Sequence, residues 1–245
     1  MLKLNLSLSL LLCLLIFNAC DDEDQDCPNV VNEGAIRILP LGDSRVEGAR
    51  PDFESYRYEL WKQLIDSSWN VDFVGTRKDG ANYEKHKGNC FDKDHEGTGG
   101  AVSADILQTV QQIAASDAPQ AVLLGVGGND LLDANLSPEQ VLGNIRQIID
   151  QLQSLNPEVT IFLEQIAPGK SAFMRPEWTN AFNAYNAGIP GVASEKSTDR
   201  SAIIVINMAA GWTDALLADD VHYNVQGAQL VAERYFEAMQ ANLTP

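Results

Sequence analysis

Residues able to make and break an ester bond stand at the ends of apolar runs in this chain. "AIRILPLG" reads as a buried β-strand, and Asp43 and Ser44 follow it directly in "LPLGDSRVEG". A serine just past a strand end can turn its hydroxyl into the crevice of an α/β sheet. Turns also place Gly, Asp and Ser there for conformational reasons. A serine nucleophile needs a base. Of the three histidines, His86 in "NYEKHKGN" reads as surface loop and His95 in "DKDHEG" as a loop-fixing residue. His222 has a carboxylate three residues earlier, Asp219, in "ADDVHYN". In a tight turn that spacing lets the carboxylate accept from imidazole Nδ1–H, leaving the other nitrogen as proton acceptor. The same "DDVH" can equally be a polar approach to a helix. Acyl transfer further needs donors aimed at a developing oxyanion. Asn129 in "GGND" offers an amide, and the backbone N–H groups of Ser44 and of a glycine in "EGTGG" can complete the set.

These groups lie far apart in sequence, so a regular scaffold must gather them. Strand-like runs at 36–41, 71–75, 121–127, 160–166 and 202–207 alternate with helical patterns at about 54–67, 102–115, 138–155, 177–196 and 225–241. In "SPEQVLGNIRQIIDQLQSL" Val141, Leu142, Ile145, Ile148, Ile149 and Leu152 share one face. Ser137, Pro138 and Gln140 supply a capping box with proline at the first helical position. The alternation predicts an α/β fold, a five-stranded parallel sheet with helices on both faces. The strands alternate little, as expected when both faces are covered. Ligands collect beyond the carboxyl ends of such strands, which is where Ser44, Asn129 and the Asp219–His222 pair fall. Asp43 is expected to shape its turn, Arg45, Glu47 and Asp130 to tie the loops together by ion pairs, and Trp61 and Trp69 to lie in the core.

The chain of 245 residues carries 17 Lys and Arg against 34 Asp and Glu. Such a charge repels phosphate backbones, which argues against nucleic acid as a partner. "LSLSLLLCLLIF" is too short and too early for a membrane span and predicts a signal peptide over residues 1–19. Cys20 stands where a bacterial lipobox places its lipidated cysteine, although Phe17 replaces the usual leucine. An acidic tether, "DDEDQD" onward, would fill 20–34, and one domain 35–245. An exported protein can keep a disulfide, and Cys27 and Cys90 are the pair left over once Cys13 and Cys20 are set aside. No Cys/His cluster suggests a metal.

Taken together, a serine after the first strand, a glycine in the next loop but one, an asparagine after the third and Asp-x-x-His before the last helix resemble the SGNH hydrolases, also called GDSL esterases/lipases. The resemblance covers nearly all of residues 36–240. It implies a flavodoxin-like three-layer α/β/α fold without a cofactor. It also implies Ser44, Asp219 and His222 as the catalytic set, with an oxyanion hole of Ser44, Gly97 (or Gly99 or Gly100) and Asn129. "ESYRYELWKQL", "VDFVGTRK", "DKDHEG" and "GGNDLL" are similar to acetylxylan esterases of carbohydrate esterase family three. That similarity implies removal of O-acetyl groups from polysaccharide through an acyl-serine intermediate. Two departures are "HEGTGG" where those enzymes tend to carry "HEGHSG", and Tyr223 after the base where proline is common. On this reading Trp178 and Trp212 rim the crevice and stack on sugar rings, or else pack at the core edge. A lipase or thioesterase of the same superfamily, and a non-catalytic carbohydrate-binding surface lipoprotein, are the alternatives. The expected location is the outer membrane or surface of a Gram-negative bacterium, held by the lipid alone, or else secreted or periplasmic.

Overall fold

The computed structural model describes residues 33–133 and 136–244. Cys20 and Cys27 lie outside them. Cys90 is disulfide-bonded, and no other cysteine is among the described residues.

The chain runs β1 (Ile36–Gly42), α1 (Ser44–Glu47), α2 (Arg57–Asp66), β2 (Val71–Phe73), β3 (Arg77–Lys78), β4 (Asp94–Gly97) and α3 (Ser103–Asp117). There follow β5 (Ala121–Gly125), α4 (Gly128–Leu132), α5 (Pro138–Leu155), β6 (Thr160–Gln165), α6 (Pro176–Lys196), β7 (Ile203–Asn207), a 3₁₀ turn (Asp214–Leu216) and α7 (Val225–Asn242). The five expected strands form the parallel order β2-β1-β5-β6-β7. Two short strands add to them: β4 pairs parallel with the end of β1, and β3 pairs antiparallel with β4. Neither was foreseen, because runs of two and four polar residues carry no periodicity to read.

The sheet separates two cores. On one side α3, α5 and α6 cover Leu39, Leu41, Leu124 and Leu163. On the other α2 and α7 cover Ile38, Leu123 and Phe162. The even β6 residues face α7, so Glu164 follows Phe162 onto that side. The α5 cap forms as its sequence dictates, Ser137 Oγ accepting from Gln140 N and Gln140 reaching back to Ser137 N. Trp61 and Trp69 are buried. No helix among the described residues is long and apolar enough to cross a membrane.

At the carboxyl ends of the central strands three glycines stand in a row, Gly97, Gly42 and Gly125. A Cβ on Gly42 would lie 2.0 Å from Gly125 O, and one on Gly97 would lie 2.3 Å from Glu47 N. The missing side chains let α1 settle directly onto the sheet. Gly42→Ala is therefore expected to cost about 3 kcal/mol, at the high end for an overpacked site. Urea denaturation measures this, and a midpoint equal to wild type would contradict the close packing of the row.

Candidate active site

Ser44 is the first residue of the single-turn helix α1. Asp43 caps that turn, its buried carboxylate accepting from Arg45 N at 3.0 Å. The turn shaped in this way presents Ser44 Oγ 2.9 Å from His222 Nε2. His222 Nδ1 lies 2.7 Å from Asp219 Oδ2, and the other Asp219 oxygen accepts from the backbone N–H of His222 and Val221 at 2.7 and 2.9 Å. Partial burial alone would raise the Asp219 carboxyl. The two N–H groups and the imidazole outweigh it and hold the acid at about 2. A carboxylate on Nδ1 fixes the tautomer in which Nε2 accepts the serine proton.

Phe53 fixes the imidazole, a part that sequence reading did not assign it, and Arg45 fixes the loop that carries it. Phe53 stacks flat on the imidazole, with ring centroids 3.8 Å apart and planes at 13°. It sits in a loop with no periodic signal, docked on the histidine loop by Glu54 N donating to Tyr223 O. Arg45, next to the nucleophile, donates to Val221 O at 2.9 Å, Ala167 O at 2.6 Å and Pro168 O at 3.4 Å, and its guanidinium lies over Tyr223. It ties the loops as expected, but through carbonyls instead of an ion pair.

Glu47 and Asp130 also act mainly by other means than ion pairs. Glu47 Oε2 accepts from Gly99 N at 2.6 Å, with Arg77 more distant from the other oxygen at 3.7 Å. Asp130 is buried and accepts from Ser103 N and Oγ, anchoring α4 to the start of α3. That anchor sets Asn129, whose amide donates to Ala101 O at 3.0 Å and has a second hydrogen left for the cleft it lines with Ser44.

The glycine expectation needs correcting. Gly97 has one N–H and donates it to His95 Nδ1 at 2.9 Å. Burial, followed by the charge of Arg57, pushes that histidine down to about 3, so it stays a neutral acceptor. Thr98 N–H goes to Gly42 O and Gly99 N–H to Glu47. Within this run Gly100, at φ 73°, alone keeps an N–H without an acceptor among the described residues.

The two tryptophans part company. Trp178, on the first turn of α6, lies 5.2 Å from Phe173 and beneath the Arg175 guanidinium, one helical turn before Phe182 of the cleft. Trp212 packs on Tyr223 at the core edge, half-buried and with its indole nitrogen sealed.

One group at the site was missed altogether. Glu164 lines the same cleft as Ser44, 4% exposed, and burial pushes its carboxyl up to about 7 although Tyr235 donates to it at 2.5 Å. Nothing in "TIFLEQI" marks it as other than a strand-end glutamate. No group of three or more His, Cys, Asp or Glu among the described residues could hold a metal ion.

Comparison with known proteins places this geometry. The GDSL-like Lipase/Acylhydrolase family matches residues 41–230. A multidomain esterase of Ruminococcus flavefaciens is 26% identical over 227 residues, covering 86% of this chain and 29% of its own length. The chain spans about a third of the length of the curated relatives it matches. A carbohydrate esterase family 3 structure from Talaromyces cellulolyticus aligns at TM-score 0.75 and 25% identity, over 84% of this chain and 97% of that one. A family 3 carbohydrate esterase from Clostridium thermocellum aligns at TM-score 0.69 and 28% identity, over 84% and 96%.

Glu164 gives a stability prediction whose sign is fixed. Folded, it keeps its proton to about pH 7; unfolded, it loses the proton near 4.5. Between those values the folded state binds the extra proton, so this carboxyl makes stability fall as pH rises through the window, by about 3 kcal/mol in all. Above it the loss levels off. Glu164→Gln removes that component, and urea unfolding of both proteins at pH 5 and pH 8 measures it. A wild-type-minus-variant difference that is the same at both pH values would exclude the buried acid.

Proposed function

The chain belongs to the GDSL-like lipase/acylhydrolase family, and we propose that it is a carboxylic ester hydrolase that removes O-acetyl groups from polysaccharide. The observation that carries this reading is the unbroken line Ser44–His222–Asp219, with hydrogen bonds of 2.9 and 2.7 Å. Ser44 Oγ attacks the ester carbonyl as His222 Nε2 takes its proton. Asn129 Nδ2, the Ser44 N–H at the open start of α1 and the Gly100 N–H are the donors for the oxyanion. The tetrahedral intermediate collapses to an acetyl-serine as His222 passes the proton to the departing sugar oxygen. Water, deprotonated by His222, then releases acetate.

The acetylated carbohydrate is supported by the names of the similar esterases and by the size of the cleft. About 30 Å³ of free cavity adjoins Ser44, room for a short acyl group and not for a sugar ring. The glycan stays outside, where Trp178 and Phe173 offer apolar rings. A lipase or thioesterase would need a long apolar channel, and the cleft has none among the described residues. The leader-like residues 1–19, Cys20 and the acids after it support export and lipid anchoring at an outer membrane or cell surface.

Acetate release from acetylated xylan and from 4-nitrophenyl acetate tests the proposal. Ser44→Ala is expected to lower kcat/KM by at least ~10³-fold, because the acyl intermediate cannot form. Asn129→Ala should cost about 3 kcal/mol of transition-state stabilisation. A Ser44→Ala protein as fast as wild type would end the mechanism. Arg45→Lys, which cannot span three carbonyls, is expected to lower kcat by about 10-fold, or about 1.4 kcal/mol, at similar KM.

A further inference from the structure

The cleft at Ser44 continues inward to a buried carboxyl that the proposed reaction does not use. Ser44 and Asn129 stand at its half-buried mouth, and Glu164 and Tyr56 line it at 4% and 1% exposure. Glu164 reaches this position because Gly125 has no side chain: a Cβ there would lie 2.8 Å from the Glu164 carboxyl carbon. One Glu164 oxygen accepts from Tyr235. No cation among the described residues lies within ion-pair distance. The Tyr56 ring lines the cleft 4.8 Å from that of Tyr235, and its hydroxyl is sealed from water.

We infer that Glu164 forms a polar floor to the acyl cavity and is the residue that restricts the enzyme to the shortest acyl groups. The inference rests on the ester-hydrolase reading and deepens it. Once the ester carbon is within reach of Ser44 Oγ and its oxygen within reach of Asn129, the glycan is held outside by size. The acyl substituent is the part that points inward. A methyl group leaves space for water to solvate the carboxyl. An alkyl chain of two or three further carbons displaces that water and offers no hydrogen bond in return, which leaves a buried polar group unpaired. Discrimination of this kind exceeds what the size of a purely apolar pocket achieves. The carboxyl stays protonated up to about pH 7 because burial disfavours its charge, so it presents a hydroxyl and a carbonyl to the cavity over the acid side of neutrality.

The test is the ratio of kcat/KM for 4-nitrophenyl butyrate to that for 4-nitrophenyl acetate, measured on the whole chain at pH 6.5. Glu164→Ala, which removes the carboxyl and widens the floor, is expected to raise the ratio at least 10-fold. Glu164→Leu, which replaces the polar floor by an apolar side chain of similar size, is expected to raise the ratio at least 3-fold. Glu164→Gln keeps the floor polar and the Tyr235 bond, and should hold the ratio within two-fold of wild type. Ratios unmoved in folded Glu164→Ala and Glu164→Leu overturn the inference, and an unmoved ratio in either one does so alone if the other fails to fold. Wild-type protein that hydrolyses neither ester withdraws the functional reading and the inference together. Turnover with an unmoved ratio withdraws the inference only.

Discussion

Backbone resting on backbone at the strand ends is the constraint from which the site follows. A helical turn can sit on the end of a sheet only where no Cβ intervenes, and Gly42 and Gly97 supply that gap beneath α1. The turn then lies low enough for Ser44 to meet an imidazole from a loop 178 residues later. Gly125 extends the same logic one strand across, where the vacancy is filled by a carboxyl instead of a backbone. The nucleophile and the acid behind it thus share one cause. Arg45 closes the arrangement: it leaves the nucleophile's own turn and clasps three carbonyls of the loops that follow β6 and precede α7.

Environment drives two carboxylates near the serine to opposite states. Asp219 is half-exposed and accepts three hydrogen bonds, and it stays ionised at about 2. Glu164 is buried, has one donor and lies in the field of Asp43, and it holds its proton to about 7. The charged one orients the base through its Nδ1. The neutral one can line a cavity without repelling an ester. Sequence marks Asp219 by its spacing from His222, and nothing in it marks Glu164 as a buried acid.

That contrast marks where reading the sequence succeeds. The sheet and its five principal strands were visible because Leu39, Leu123 and Phe162 sit in unbroken apolar runs, and α5 because its capping box and 3.6-residue stripe agree. Ser44 and Asn129 were visible because each stands just past such an element, and Asp219 and His222 because of their three-residue spacing shortly before the last helix. The structure brings Ser44, Asp219 and His222 into one hydrogen-bonded line and puts Asn129 on the cleft that Ser44 lines. What depended on local backbone direction was not visible. Which N–H in "EGTGG" is open is decided by β4 pairing and by a histidine acceptor, not by composition. Whether Trp212 faces solvent or Tyr223 is decided by how residues 209–212 fold back. Phe53 and Arg45 act across loops, where no periodicity exists to announce a partner.

Charge adds a direction to the proposed reaction. A neutral acetylated glycan approaches a molecule of net charge −17 without electrostatic cost. Hydrolysis then creates a carboxylate inside a cleft that also holds Asp43 and Glu164, a few residues from Asp219. The nearest cation, Arg45, already gives its donors to Val221, Ala167 and Pro168, so no arginine waits to clamp the new anion. Once Glu164 loses its proton, above about pH 7, the surroundings that admit the ester repel the acid it becomes, and release of acetate is then favoured by the field that left the substrate indifferent.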